Sequence, residues 1–375
     1  MKKSLLVTSL SKALAGQNLA KVWAGYGILA GAMVAGLCVA GGATAAESQP
    51  PEWAYATPPA APAGAPPAAA AAVDDGKVYS LPGTDRTFTA NQIRGRLDNV
   101  SPARVPPADW YPGDHPAMPK IVAEGDPTRG IVACDLCHYP NGKGRSENAS
   151  PAGLPKDYII EQMHDMRDGL RQSADSRKAN TKQMIAFAKA MTEDEIGQAA
   201  TYFSSMTWTP WIHVVESKTT PKVHSNGGLY LPLEGADAGT EPLGDRIVEV
   251  PVNPQHTSVL RDPRSPFIAY VPIGSVEKGR DIVKTGAGGK ATPCAICHGE
   301  TLNGLGAVPG IAARSPSYIA RQLYDIQQGA RNGGMTALMK PVVAKLTNED
   351  ILDIAAYTAS LPAPSTSVAS ASASP

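Results

Sequence analysis

Two five-residue motifs, Cys134-Asp-Leu-Cys137-His138 and Cys294-Ala-Ile-Cys297-His298, stand 160 residues apart and use four of the five cysteines in the chain. The same shift lays "DYIIEQMHDMRDG" (157–169) over "SYIARQLYDIQQG" (317–329). With five residues deleted, "MIAFAKAMTEDEIGQAATYFSSM" (184–206) lies over "MKPVVAKLTNEDILDIAAYTASL" (339–361). Three blocks matching in one order mark a duplicated domain. Whatever the motif does, the fold does it twice.

Each repeat reads as mostly helical. Asp157 and Ser317 are helix-starting residue types, and the apolar pattern that follows each stops at Gly169 or Gly329. The last helices open with capping boxes, Thr192 with Glu195 and Thr347 with Asp350. Ile196, Ala199, Ala200 and Phe203 then share one apolar face, as do Ile351, Ile354, Ala355 and Thr358. Ahead of the motifs, "SVEKGRDIVKTG" (275–286) predicts a helix, and "MPKIVAEG" (118–125) its shorter counterpart. The expected fold is mainly α: two tandem domains, 118–206 and 271–361, joined by an inter-domain segment with short strands, 207–270. In that segment "WIHVVES", "GLYLPLEG", "DRIVEVPV" and "FIAYVP" predict three or four strands that dock the domains.

The remainder frames these domains. Residues 1–46 read as a signal peptide or N-terminal membrane anchor, with four lysines, no acid before Glu47, an apolar run over 23–40 and Ala43-Thr-Ala45 as a cleavage site. Cys38 sits inside that run as an apolar passenger. Residues 47–76 form a Pro/Ala-rich linker, 77–117 an N-terminal extension containing "DWYPGDHP" (109–116), and 362–375 a disordered tail. Folded material is expected from Lys77 to Leu361. Lys and Arg total 34 against 34 Asp and Glu. Losing residues 1–45 removes four lysines and leaves a net charge of −4, which excludes nucleic acid as a partner on electrostatic grounds.

The cysteine spacing then narrows the chemistry. Thiol oxidoreductase pairs sit in βαβ settings, and no such pattern surrounds either motif. A four-cysteine zinc site needs its pairs about 15–20 residues apart, and here 156 residues separate Cys137 from Cys294. Covalent haem attachment accounts for the whole arrangement. Two cysteines one helical turn apart reach the two vinyl groups of one porphyrin, and the adjacent His138 or His298 becomes an axial iron ligand. With 5 cysteines and 7 histidines in 375 residues, chance supplies one such motif in about a thousand chains. Two covalently bound haem c groups are therefore expected, on Cys134 and Cys137 and on Cys294 and Cys297. For the sixth ligand, Met184 and Met339 are the methionines that superpose between repeats beyond the motif. Core filling is the competing role for methionine, and Met191, Met206 and Met335 compete without a repeat partner.

The order CxxCH, Tyr-led helix, methionine and "LTNEDILDIAAYTASL" resembles class I cytochrome c, and the duplication resembles the periplasmic diheme cytochromes of the c-four type. The likeness spans about 120–206 and 275–361. It implies a loop proline whose carbonyl steadies the haem histidine. Pro309 matches, whereas the equivalent position in the first repeat is Ala149. It also implies an exported electron carrier, not an enzyme, with redox proteins as donor and acceptor. Two other readings are a diheme cytochrome c peroxidase, with His115, His224 or His256 as a ligand, and a haem subunit of a membrane-bound dehydrogenase or oxidase complex.

Overall fold

A computed structural model describes residues 50–57, 74–99 and 104–363. The leader, most of the linker and the tail beyond Ala363 lie outside the described residues, and no helix among the described residues is long and apolar enough to cross a membrane. In chain order the helices are α1 (Glu52–Tyr55), α2 (Ala90–Ile93), α3 (Lys120–Ala123), α4 (Cys134–His138), α5 (Lys156–Arg167), α6 (Ala179–Ala190), α7 (Glu193–Ser204), α8 (Ser275–Thr285), α9 (Ala295–His298), α10 (Pro316–Gln327), α11 (Thr336–Val343) and α12 (Asn348–Ser360). The strands are β1 (Val78–Ser80), β2 (Thr87–Thr89), β3 (Gly125–Asp126), β4 (Ile131–Val132), β5 (Ile212–Glu216), β6 (Thr219–Pro221), β7 (Val223–Asn226), β8 (Leu229–Pro232), β9 (Thr240–Pro242), β10 (Val248–Pro251) and β11 (Phe267–Val271).

The long helices fall where periodicity and capping place them. Thr192 and Thr347 each accept from the backbone three residues on, and Glu195 and Asp350 reach back, so both capping boxes form. The helices α5 and α10 begin earlier than the sequence suggests: Pro155 and Ser315 are the caps, and Asp157 and Ser317 lie within the first turn. Proline explains the shift, since it is favoured at helix starts where its missing N–H is no loss. Both helices end before a left-handed glycine, Gly169 at φ 78° and Gly329 at φ 73°.

Two corrections concern the material around the repeats. The composition of the linker places it outside the folded material expected from Lys77, yet α1 buries Trp53, Ala54 and Tyr55. Tyr55 donates to the Asp325 carboxylate at 2.8 Å, and Arg321 donates to the Ala54 carbonyl at 2.5 Å. Trp53 and Tyr55 are large apolar surfaces in a stretch otherwise of Pro and Ala, and burying them outweighs the stretch's disorder-prone composition. The inter-domain segment also holds more strands than the apolar runs suggest. The four runs become β5, β8, β10 and β11, while β6, β7 and β9 are rich in Thr, Pro, Ser and Asn and carry no alternating signal. β11 pairs with β10 antiparallel and with β5 parallel, which ties the exit of α7 to the entrance of α8.

Helix α8 crosses α12 at Gly279, where an added Cβ would meet the Asp353 carbonyl oxygen at 1.9 Å. Glycine is required there by the close approach of two backbones. A larger interface is built with internal symmetry. Arg171 donates to Gln162, Tyr318 and Gln322, and Arg331 donates to Gln322, Tyr158 and Gln162, at 2.8–3.2 Å. These residues correspond pairwise under the 160-residue shift. Backbone bonds from Gln172 to Ala330 and from Asn332 to Leu170 complete a short antiparallel bridge.

Candidate functional site

Both motifs lie on single helical turns that place the two cysteines on the same side of the chain. None of the four motif cysteines forms a disulfide. Among the described residues no three His, Cys, Asp or Glu side chains converge as a zinc site would require.

The two histidines are oriented alike. His138 Nδ1 lies 2.8 Å from the Ala149 carbonyl and His298 Nδ1 lies 2.8 Å from the Pro309 carbonyl. A carbonyl acceptor keeps the proton on Nδ1 and leaves Nε2 as the bare nitrogen for a metal. Burial holds both rings below the usual histidine range, which also favours the neutral, ligating form. The loop without a proline thus delivers the same carbonyl, because a backbone oxygen does not depend on the side chain that follows it.

Cys134, Cys137 and His138 line one wall of a deep, largely apolar cavity, and Met184 and Phe187 of α6 line another. Met339, on the equivalent helix α11, is half-buried against the core that also receives Cys294 and Leu346. Met335 is exposed, and Met206 lies in the core. Sequence reasoning missed Met163 and Met166, which also line the first cavity. Their repeat partners are Leu323 and Ile326, so comparing the repeats gave them no signal. It missed a buried amine as well. Lys178 lines the cavity with no hydrogen-bond partner among the described residues, and burial lowers it to about 7. An orphaned cation beside an apolar slot suits a porphyrin, which carries carboxylates on one edge of an apolar ring.

The cavity crosses the repeat boundary: Tyr318, Arg321, Gln322 and Asp325 line it from α10. The remaining histidines go elsewhere. His115 meets Asp109, His164 meets Glu193 and His256 meets Asp262. His213 on β5 and His224 on β7 are exposed, and none of the five lines the cavity. Nor does "DWYPGDHP" offer aromatic surface to it. Trp110 and Tyr111 are buried in a separate small core with Leu81, Ile93 and Leu260, and the Trp110 indole donates to the Leu260 carbonyl at 2.7 Å.

No family model matches the chain. Among curated proteins, cytochrome c-554(548) of Halomonas halodenitrificans is 39% identical over 69 residues, covering 18% of this chain and 83% of that protein. This chain is a diheme c-type cytochrome. Cytochrome c4 of Azotobacter vinelandii is 24% identical over 246 residues, 63% of this chain and 89% of the relative. The thiosulfate dehydrogenase electron acceptor of Thiomonas intermedia is 25% identical over 243 residues, 64% and 83% respectively. The cytochrome carries two covalently bound haem c groups, and it is mainly α with small sheets. The relatives support electron transfer and lend nothing to the peroxidase alternative.

Proposed function

We propose that the cytochrome is an exported electron carrier built of two tandem class I cytochrome c domains, one haem to each. Cys134 and Cys137 attach the first haem and Cys294 and Cys297 the second. His138 with Met184, and His298 with Met339, complete the iron coordination. A haem supplies a one-electron couple, and thioether ligation favours its ferrous state. The protein's part is to hold Nε2 toward the iron through the Ala149 and Pro309 carbonyls, to exclude water and to keep the sixth position filled. The observation that carries this reading is the matched histidine–carbonyl geometry, with an equivalent methionine helix following in both repeats.

Electrons exchange with partners at the second haem. Ile296, Leu305 and Leu338 are 65%, 63% and 65% exposed, and Cys297 is exposed, whereas Leu136 and Cys137 at the first site are half-covered. The donor class is a dehydrogenase or quinol-oxidising complex and the acceptor a terminal oxidase or reductase. Residues 1–46 direct the chain to the periplasm, with 23–40 as the tether if they are retained. N-terminal sequencing of the mature protein distinguishes the carrier from the tethered haem subunit. A pyridine haemochrome assay with a denatured mass tests the core of the proposal: two haems are expected, and one or none would end it. Stopped-flow mixing of half-reduced protein with peroxide should give slow, unsaturable oxidation. Fast saturable turnover would instead establish the peroxidase.

A further inference from the structure

Beside the first site, on the outer side of Cys137, lies a second cavity of about 270 Å³. Five guanidinium groups line it, from Arg94, Arg96, Arg104, Arg145 and Arg261. They arrive from three separate parts of the chain: the N-terminal extension, the loop after His138 and the inter-repeat segment. Glu147 is the one carboxylate in the lining, and it is engaged by Arg145. Asn148 and Asn180 add amides without charge.

The fold relieves this cluster only in part: against its burial, Glu147 and Tyr139 hold Arg145 above the usual guanidinium range. Arg94 is held below the usual guanidinium range by burial and by Arg96 and Arg145, with Tyr79 and, more weakly, Asp74 opposing. Arg261 is held down by burial and by Arg145, against Tyr139, Cys137 and Glu147. The Arg145 Nε is buried without an acceptor among the described residues. Arg261 also has left-handed backbone, at φ 52°, and its guanidinium lies 5.5 Å from the Tyr139 ring centre. A long side chain in that region costs on the order of 1 kcal/mol where glycine would cost nothing. Converging like charges and a strained arginine are together what a site for an absent anion looks like.

We propose that this cleft binds a small oxyanion, sulfate- or phosphate-like, held against the haem-attaching Cys137 by Arg94, Arg145 and Arg261. At about 270 Å³ the cavity has room for such an ion and a few waters. A bound negative charge beside the first haem stabilises the ferric state, so occupancy lowers that haem's potential and leaves the second unmoved. By reciprocity the ferric protein binds the anion more tightly than the ferrous protein. The haem coupling rests on the attachment proposed above, but the binding itself does not.

The test is calorimetric titration of the full holoprotein with sulfate, then phosphate, at constant ionic strength maintained with chloride. One saturable site is expected, at least about fivefold tighter in the ferric form. For one electron at about 59 mV per tenfold, that is a fall of about 40 mV in one potential of two. Arg261→Gly removes a cation while relieving backbone strain. It should bind at least about tenfold more weakly with an unchanged or higher Tm, which a purely structural arginine would not do. Arg94→Gln should weaken binding similarly. The proposal is overturned by heat that never saturates, by unchanged affinity in Arg261→Gly, or by sulfate and chloride shifting both potentials alike. Saturable binding without any change in potential would retain the site and sink only the haem coupling.

Discussion

The two halves hold the same motif by different means. The second half packs a three-turn α8 across α12, with glycine at the crossing, and needs little else around its histidine loop. The first half has only the single turn of α3 in that place, closed off by the β3–β4 ladder. It recruits the rest from elsewhere. Arg314 of the second half donates to the Ser150 and Ala152 carbonyls and lies 3.7 Å over the Trp208 ring. Asn141 bonds to the Pro263 carbonyl, and Tyr139 lies under Arg261. The histidine loop of the first half is covered by what it borrows, whereas that of the second half keeps its outer edge open. Covering and exposure follow from how each half fills its core.

The sharpest break of that contrast is Gly279→Val. A branched side chain where backbone already crowds backbone should cost about 3 kcal/mol or more, and because Arg314 and α10 of the second half pack against the first, it should weaken both halves. Thermal melts followed by Soret absorbance should show one transition at lower temperature; loss of the second half alone, with the first melting as before, would refute the dependence of the first half on the second.

Removing the proposed thioethers separates the halves electronically. Met339→Ala should lower one potential by on the order of 0.1 V and Met184→Ala the other, with part of the near-infrared sulfur-to-iron band lost each time. If either variant leaves both potentials in place, that methionine is not a ligand.

The symmetric interface is tested by Arg171→Met and Arg331→Met. Each leaves a tyrosine and two glutamines short of a donor and should cost about 2 kcal/mol. The double variant should cost less than the two singles combined, because they share Gln162 and Gln322. Strict additivity in denaturant unfolding would mean that the network is two unrelated sites.

The smallest effect concerns pH. Asp353 on α12 is raised to about 6, mainly by burial. Its protonated form suits the fold, so its contribution is intact below about pH 4 and is lost as pH rises toward 6. Asp353→Asn should abolish that loss and be about 1 kcal/mol more stable above pH 6, in the second half alone. Parallel stability–pH curves for the two proteins would refute this.

Much of the fold was legible in the sequence because its signals are local. Thr192 with Glu195 and Thr347 with Asp350 are three residues apart, and a capping box needs no tertiary partner. The proline that starts α10 and the glycine that ends it act through backbone geometry alone. The strands β6, β7 and β9 were not legible, since their pairing is satisfied through main-chain bonds that polar side chains leave no pattern for. Trp53 and Tyr55 were hidden by the composition of their neighbours. Around the proposed sites, the cysteines, histidines and repeat-matched methionines stand out by spacing and repetition along the chain; Lys178, Met163 and the α10 residues lining the first cavity carry no such mark.

By itself the sequence determined that three blocks recur in one order and that each set carries a CxxCH motif, since spacing and repetition along the chain are properties of the covalent order. Only the tertiary structure decided which carbonyl orients His138, that four residues of the second repeat line the first repeat's cavity, and that five arginines meet beside Cys137. Those facts depend on residues distant in sequence being packed together, and no pattern along the chain encodes a distance across it.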